Sequence, residues 1–110
     1  MFGLFGKKTQ SLSMREAQAE LEKDKSIILV DVRNTDEFSQ GHIKGSINVP
    51  LHLVPVTLNQ KVTDKKARIF VYCLSGGRSS QAVSWMVQNG YENVTNIGGI
   101  TSWGGPVVRG

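Results

Sequence analysis

The sequence predicts an α/β domain in which helices cover both faces of a parallel sheet. Residues 27–30 and residues 68–73 are nearly continuous runs of apolar side chains, a pattern typical of strands buried on both faces. Segments with helical signals alternate with the predicted strands, which favours parallel pairing. A chain of 110 residues can form one hydrophobic core and is too short for two, so we expect a single domain.

The first helix is expected to begin at Ser13. Ser13 and Glu16 have the spacing of a capping box, in which each side chain accepts a hydrogen bond from the backbone N–H of the other residue. Met14, Ala17 and Leu21 then recur at helical spacing and form one apolar stripe. We therefore expect this helix to pack against the sheet through the stripe.

The middle of the chain carries weaker signals. Asn34 marks a helix start and Gly41 a helix stop, which leaves room for one or two turns. Residues 47–49 are expected to form a short strand. Beyond them we expect Pro55 to interrupt a weak helical pattern, and the charged residues 64–66 indicate a loop.

A loop with two glycines, residues 74–78, follows the second buried strand. A helix is expected next, capped by Ser79 or Ser80 and ended by Gly90. Its apolar face comprises Ala82, Val83, Met86 and Val87. Residues 94–97 are expected to form the last strand.

The composition is that of an ordinary globular domain, with 39% apolar and 20% charged residues. The formal charge is +4, but the basic residues are scattered, whereas nucleic-acid-binding proteins concentrate them in one stripe among aromatic residues. We therefore expect no nucleic-acid partner, although a net positive charge favours the approach of small anions. No cluster of Cys and His has metal-ligand spacing, so no metal is expected.

Residues 1–9 are expected to form a tail ahead of a domain that spans residues 10–110. The apolar stretch at the start is too short for a signal peptide, and no apolar run reaches the roughly 20 residues that a membrane span needs. A single cysteine excludes an internal disulfide. We therefore expect a cytoplasmic protein without a membrane span, in which Phe2, Leu4 and Phe5 could contact a membrane surface or a partner.

Cys73 ends the second buried strand, and the glycine-containing loop and a helix start follow it at once. In parallel sheets ligands bind beyond the carboxyl ends of the strands. Glycines let backbone N–H groups turn inward as a nest of donors, and the helix start adds the positive end of its dipole. These surroundings favour the thiolate, the nucleophilic form of cysteine. Arg78 could either orient an anionic substrate or hold the shape of the loop, and the sequence leaves both roles open.

The cysteine count limits the chemistry further. Cys73 is the only cysteine, so the chain offers no resolving thiol of the kind that disulfide oxidoreductases use. Any group that Cys73 takes up covalently must therefore leave to an acceptor outside this chain, such as a small thiol or a cysteine of another protein. A two-step reaction through a covalent intermediate is therefore expected.

Three blocks of the sequence, in order and over nearly its whole length, resemble the rhodanese superfamily. The first contains Asp-Val-Arg at residues 31–33 and Gly-His-Ile-Lys-Gly at residues 41–45. The second is residues 73–79, similar to the family's active-site loop, in which four residues separate Cys from Arg-Ser. The third is Gly-Gly at residues 98–99, followed by Trp103.

The resemblance implies a single-domain rhodanese-like fold with a central parallel sheet of about five strands and helices on both faces. It also implies thiosulfate sulfurtransferase activity without a cofactor, in which Cys73 carries the transferred sulfur as a persulfide. The backbone N–H groups that would line the substrate site are those of Leu74, Ser75, Gly76, Gly77, Arg78 and Ser79. The expected partners are a small anionic sulfur donor and a thiol, cyanide or protein acceptor, and we expect a monomer.

Two other functions fit parts of the same pattern. Cysteine phosphatases and arsenate reductases also use a loop from Cys to Arg, but with five intervening residues. The four found here, residues 74–77, suit a sulfane sulfur better than a tetrahedral phosphate. Rhodanese-like domains also serve as sulfur-relay or protein-docking modules without turnover of small molecules, although such modules often lack the nucleophile that Cys73 supplies.

The remaining polar residues of the first block are expected to be structural. Asp31 would anchor nearby loops through hydrogen bonds. Arg33, with Asp36 or Glu37, would form an ion pair or brace the loop, since arginine rarely acts as an acid or base. His42 would bond to the backbone and stabilise the turn rather than act as a general base.

Overall fold

The computed structural model describes residues 9–110. Their elements are β1 (Gln10–Ser11), α1 (Met14–Lys23), β2 (Ile28–Asp31), α2 (Thr35–Gln40), β3 (His42–Ile43), β4 (Ile47–Asn48), α3 (Val54–Lys61), β5 (Ile69–Cys73), α4 (Gly77–Gln88), β6 (Val94–Gly99) and β7 (Val107–Val108). Single 3-10 turns cover Leu51–Leu53 and Ile100–Ser102. Across residues 9–110, every helix falls short of the length and apolar character that a membrane crossing requires. The contacts expected for Phe2, Leu4 and Phe5 lie outside the described residues.

Five parallel strands form the central sheet in the order β1-β6-β5-β2-β4. Strand β5 lies in the middle, where Ile69 pairs with Ile28 of β2 and with Val94 of β6, and all five of its residues are buried. The short strands β3 and β7 form a separate antiparallel pair. The α/β class and the five-stranded parallel sheet are therefore confirmed.

Helices cover both faces of this sheet. Helices α3 and α4 pack over one face and helix α1 over the other, each against its own apolar cluster. Alternate residues of a strand point to opposite faces, so Phe70 and Tyr72 join the α1 cluster, whereas Ile69, Val71 and Cys73 join the α3 and α4 cluster. The side chain of Cys73 therefore faces the layer that contains α4.

The first two helices begin where the sequence predicts. The Ser13 side chain accepts a hydrogen bond from the Glu16 N–H at 3.1 Å, and Glu16 Oε1 accepts one from the Ser13 N–H at 2.9 Å. At α2, the Asn34 N–H donates to Glu37 Oε1 at 2.9 Å, and the helix ends before Gly41. The contacts are reciprocal at α1, and at α2 the Asn34 N–H is satisfied by the Glu37 carboxylate.

The predicted interruption at Pro55 is wrong. Pro55 lies in the first turn of α3, where a backbone N–H has no partner within the helix and the fixed φ of proline is already helical. Strands β1, β3 and β7 are absent from the sequence-based expectations. Each has two residues, too few for a periodic pattern, and depends on a partner strand that is distant along the chain.

The predicted cap of α4 is also wrong. This helix begins at Gly77, and Gly76 precedes it with a φ of 110°, in the left-handed region that favours glycine. Ser79 and Ser80 therefore lie inside its first turn. The predicted apolar face is buried as expected, and the helix ends at Gln88, just before Gly90 with its φ of 96°.

Replacing Tyr72 by phenylalanine is expected to lower the free energy of unfolding by about 1–3 kcal/mol. The buried Tyr72 hydroxyl accepts a hydrogen bond from the Ile43 N–H at 3.1 Å and bonds to Ser46 Oγ at 3.0 Å. Without it, a buried backbone donor loses its acceptor. Denaturant unfolding measures the loss. Tyr91→Phe is the control, because the Tyr91 hydroxyl serves only as a donor, to Asn59 Oδ1 and the Val62 carbonyl oxygen, and its removal takes no acceptor from a backbone N–H. A loss no larger than in the control would contradict this account.

Candidate active site

The central feature of the site is Cys73, the last residue of β5. A turn of three residues leads from it into α4, which begins at Gly77. The Cys73 side chain is 1% exposed, whereas Leu74, the next residue, is 44% exposed. The sulfur thus lies beneath a loop whose outer residues face solvent, at the carboxyl edge of the sheet where the sequence predicts it.

Hydrogen-bond donors surround the Cys73 sulfur. The Gly76 N–H donates to Sγ at 3.0 Å, and Ser79 Oγ lies 3.4 Å from Sγ. Burial opposes ionisation of the thiol. The Ser79 hydroxyl, together with the N–H groups of Ser79, Gly76 and Ser75, outweighs burial, so the pKa of Cys73 lies below the ordinary value of a thiol. The arrangement favours the nucleophilic thiolate.

Glycines hold the loop in this shape. The positive φ of Gly76 turns its N–H toward the sulfur. Gly99 at the end of β6 touches the loop so closely that a β-carbon added there would lie 2.6 Å from the α-carbon of Ser75. The absence of a side chain at Gly99 thus lets β6 approach the backbone of the cysteine loop.

Ser79 is buried in the first turn of α4 and connects the loop to β6. Its Oγ donates to the Asn96 side-chain oxygen at 2.8 Å and lies 3.0 Å from the Gly76 carbonyl oxygen. Asn96 is absent from the site residues that the sequence predicts. The only available signal was its place in the last predicted strand, next to the glycine pair.

Arg78 forms a two-point ion pair with Glu37, at 2.7 Å from Nη1 to Oε1 and 3.1 Å from Nη2 to Oε2. This pair ties the first turn of α4 to α2. The expected pairing of Arg33 with Asp36 or Glu37 is therefore wrong. Arg33 instead binds Asp31, with 2.7 Å between Nη2 and Oδ2, because both side chains are buried at the end of β2.

The other residues of the first block are structural, as expected. Asp31 accepts hydrogen bonds from the backbone N–H and the guanidinium of Arg33, which also donates to the Gly41 carbonyl. The His42 ring bonds through Nδ1 to the Phe38 carbonyl at 2.9 Å and stacks on the Phe38 ring. These contacts hold the turn between α2 and β3.

Glu37→Gln is expected to destabilise the protein by roughly 1 kcal/mol at neutral pH, because the ion pair with Arg78 is lost. Hydrogen bonds from the Arg78 side chain lower the pKa of Glu37 from 4.5 to about 2. A carboxyl group with a lowered pKa contributes stability that is present above the unfolded-state pKa and is lost as the pH falls through the folded-state pKa. The difference between the wild-type protein and the variant should therefore vanish between about pH 4.5 and 2.

Urea unfolding at several pH values measures this difference. Asp36→Asn is the matched control, because it removes an exposed carboxylate from the same turn of α2. A difference between the wild-type protein and Glu37→Gln that stays constant down to pH 2 would contradict the assignment.

The predicted site residues lie together around the cysteine, with different exposures. Gly76 and Ser79 contact the sulfur, while Leu74, Ser75 and Gly77 are exposed on the outside of the loop. Within residues 9–110, no three His, Cys, Asp or Glu side chains gather as metal ligands. The geometry thus centres on one thiol and its backbone donors.

Comparisons with known proteins agree with this geometry. The family model of the rhodanese-like domain matches residues 13–105. A sulfurtransferase of Allochromatium vinosum is 38% identical over 104 residues, 91% of this chain and 91% of that protein. A thiosulfate sulfurtransferase of Escherichia coli is 37% identical over 81 residues, 74% of this chain and 78% of that protein. The solved structure described as a rhodanese with anions from E. coli has a TM-score of 0.72 and 36% identity, and the match covers 76% of this chain and 99% of that one. By its fold, its cysteine loop and these matches, the chain belongs to the rhodanese-like domain family.

Proposed function

We propose that the protein is a sulfurtransferase that moves sulfane sulfur from a small anionic donor such as thiosulfate to cyanide or a thiol, with Cys73 as the catalytic residue. In the first step the Cys73 thiolate attacks the outer sulfur of thiosulfate. A new S–S bond forms, the S–S bond of thiosulfate breaks, and sulfite leaves with its electron pair. Cys73 then carries a persulfide anion.

In the second step the acceptor attacks the outer sulfur of this persulfide. Cyanide leaves as thiocyanate, or a thiolate leaves as a small persulfide, and the bond to Cys73 breaks so that its thiolate is regenerated. Electrons balance within the two steps. The reaction therefore needs neither an external oxidant nor a second cysteine, in agreement with the single cysteine of this chain.

The observation that carries the proposal is the Gly76 N–H, 3.0 Å from the Cys73 sulfur at the start of α4. This donor, the Ser79 hydroxyl and the helix dipole all stabilise negative charge on Sγ. The same groups are available to a persulfide, whose charge lies one bond further out. The substrate-binding residues proposed are those of the loop, Leu74, Ser75, Gly76, Gly77, Arg78 and Ser79.

The burial of Cys73 favours a slender donor. A side chain that is 1% exposed is reached by a single projecting atom, such as the outer sulfur of thiosulfate, more easily than by a bulky group. Arg78, whose guanidinium already binds Glu37 at two points, acts mainly as a brace of the loop. We propose that anion binding depends on backbone N–H groups rather than on a free side-chain cation.

Mass spectrometry of the intact protein after thiosulfate treatment tests the proposal. We expect a mass increase of about 32 Da on Cys73 that cyanide reverses with release of thiocyanate. Thiosulfate, mercaptopyruvate and a glutathione persulfide would be compared as donors. An adduct that passes only to another protein's thiol would indicate a relay module. The absence of an adduct with every donor, or turnover of an aryl phosphate, would contradict the proposal.

A further inference from the structure

The hydroxyl group of Ser79 has one proton and three acceptors within reach. Asn96 Oδ1 lies at 2.8 Å, the Gly76 carbonyl oxygen at 3.0 Å and Cys73 Sγ at 3.4 Å. A hydroxyl donates one hydrogen bond at a time with good geometry. The three acceptors therefore compete for the same proton, and the shortest distance belongs to Asn96.

Asn96 presents its oxygen, rather than its amide nitrogen, to Ser79. The Gly98 N–H donates to Asn96 Oδ1 at 2.9 Å, and a donor must face an acceptor. Asn96 Nδ2 points instead toward the Gly76 carbonyl oxygen, at 3.5 Å. In the pairing of β5 with β6, Asn96 lies opposite Val71, and the register shifts directly after this pair, so that Tyr72 lies opposite Gly98. The side chain of Asn96 thus stands beside this irregularity in the strand.

We propose that Asn96 is a positioning residue that directs the Ser79 proton, accepting it while Cys73 is a neutral thiol and releasing it to the sulfur when Cys73 is charged. Asn96 acts through Ser79 and does not itself touch the sulfur. When the proton turns to Sγ, Asn96 Oδ1 keeps the Gly98 N–H as its donor. The change therefore leaves no buried oxygen without a partner, and its energetic cost is small.

This inference deepens the proposed function, since the same hydroxyl would serve the thiolate and, one bond further out, the persulfide. Its first test is nevertheless independent of sulfur transfer, because it concerns only the ionisation of Cys73. Among the described residues, the elements around the loop carry two ion pairs, Arg78 with Glu37 and Asp31 with Arg33. All four residues stay unchanged in the variants below, so their contributions to the Cys73 pKa cancel in each comparison.

Two variants of Asn96 are expected to shift the Cys73 pKa in opposite directions. Asn96→Leu removes the competing acceptor, so the Ser79 proton is free for the sulfur and the pKa falls. Asn96→Asp retains the acceptor and adds a negative charge, so the pKa rises by about one unit or more. A merely structural role would move both variants the same way, toward an ordinary thiol.

The rate of alkylation by iodoacetamide as a function of pH measures this pKa, and the single cysteine makes the signal specific. Thr95→Val is the matched control, because it alters the neighbouring residue of β6, whose hydroxyl reaches Gln10 rather than the loop. We expect the control to keep the wild-type profile. Thermal unfolding of each variant shows whether it is folded at the assay temperature.

A double-mutant cycle with Ser79→Ala isolates the coupling. In the Ser79→Ala background, Asn96→Leu should leave the Cys73 pKa unchanged, because the shared proton is gone. An equal shift in both backgrounds, or shifts of the same sign in Asn96→Leu and Asn96→Asp, would overturn the inference. If the wild-type protein formed no adduct with thiosulfate, the proposed function would be overturned, but the measured coupling between Asn96 and the Cys73 pKa would still stand.

Discussion

Cys73→Ser is expected to lower the rate of thiocyanate formation from thiosulfate and cyanide by a factor on the order of a thousand or more. A serine hydroxyl is not ionised at neutral pH, even with the Gly76 N–H directed at it, and an oxygen nucleophile cannot form a persulfide. The substitution is nearly isosteric and retains a hydrogen-bond acceptor for Gly76. We therefore expect the fold to persist while the covalent intermediate disappears.

The matched control for this variant is Ser80→Ala, an exposed position one residue beyond Ser79 in α4. Its turnover and unfolding should resemble those of the wild-type protein. Mass spectrometry adds a second readout, since thiosulfate should leave Cys73→Ser at its original mass. Turnover of Cys73→Ser above a tenth of the wild-type rate would show that the chemistry takes place elsewhere.

Gly99→Ala is expected to give the second largest effect, a loss of about 100-fold in turnover together with about 1–3 kcal/mol in the free energy of unfolding. The added methyl group would lie 2.6 Å from the Ser75 α-carbon and would also meet the backbone of Leu74. Backbone atoms cannot rotate away as a flexible side chain can. The loop that carries the Gly76 N–H must therefore move away from its position over the sulfur.

Gly104→Ala provides the control for this steric argument. The nearest atom to its added methyl group would be Gln18 Oε1 at 3.7 Å, an ordinary contact. Gly99 has a φ of −117°, a conformation that alanine adopts readily, so strain of the backbone does not contribute. Wild-type turnover in Gly99→Ala, measured beside Gly104→Ala, would mean that the loop tolerates the displacement.

Both expectations concern a loop that can be recognised from local sequence. Cys73, its glycines and the following helix are adjacent along the chain, so their spacing predicts a strand, a tight turn and a helix start. The exact beginning of α4 was not predictable in this way. Serine is a common cap, and only the observed φ of Gly76 shows that the helix starts two residues before Ser79.

The supports of this loop were less accessible to sequence reasoning. Arg78 and Glu37 are 41 residues apart, and Ser79 and Asn96 are 17 apart. Each of these polar residues has several possible partners in the sequence. For Arg33 the choice of Asp36 or Glu37 was wrong although the true partner, Asp31, is only two residues away, because burial of both side chains at the end of β2 selects the pair and sequence spacing does not show that burial.

The sequence by itself determined the α/β class, the helices whose N-cap residues are Ser13 and Asn34, and Cys73 as the candidate nucleophile, because apolar periodicity, capping residues and loop motifs act over a few neighbouring residues. Only the tertiary structure decided that Asn96 and Glu37 support the cysteine loop. Strand order and register bring Asn96 to the loop, and the position of α2 after β2 brings Glu37 there. Both depend on how the faces of the sheet are buried rather than on any local pattern.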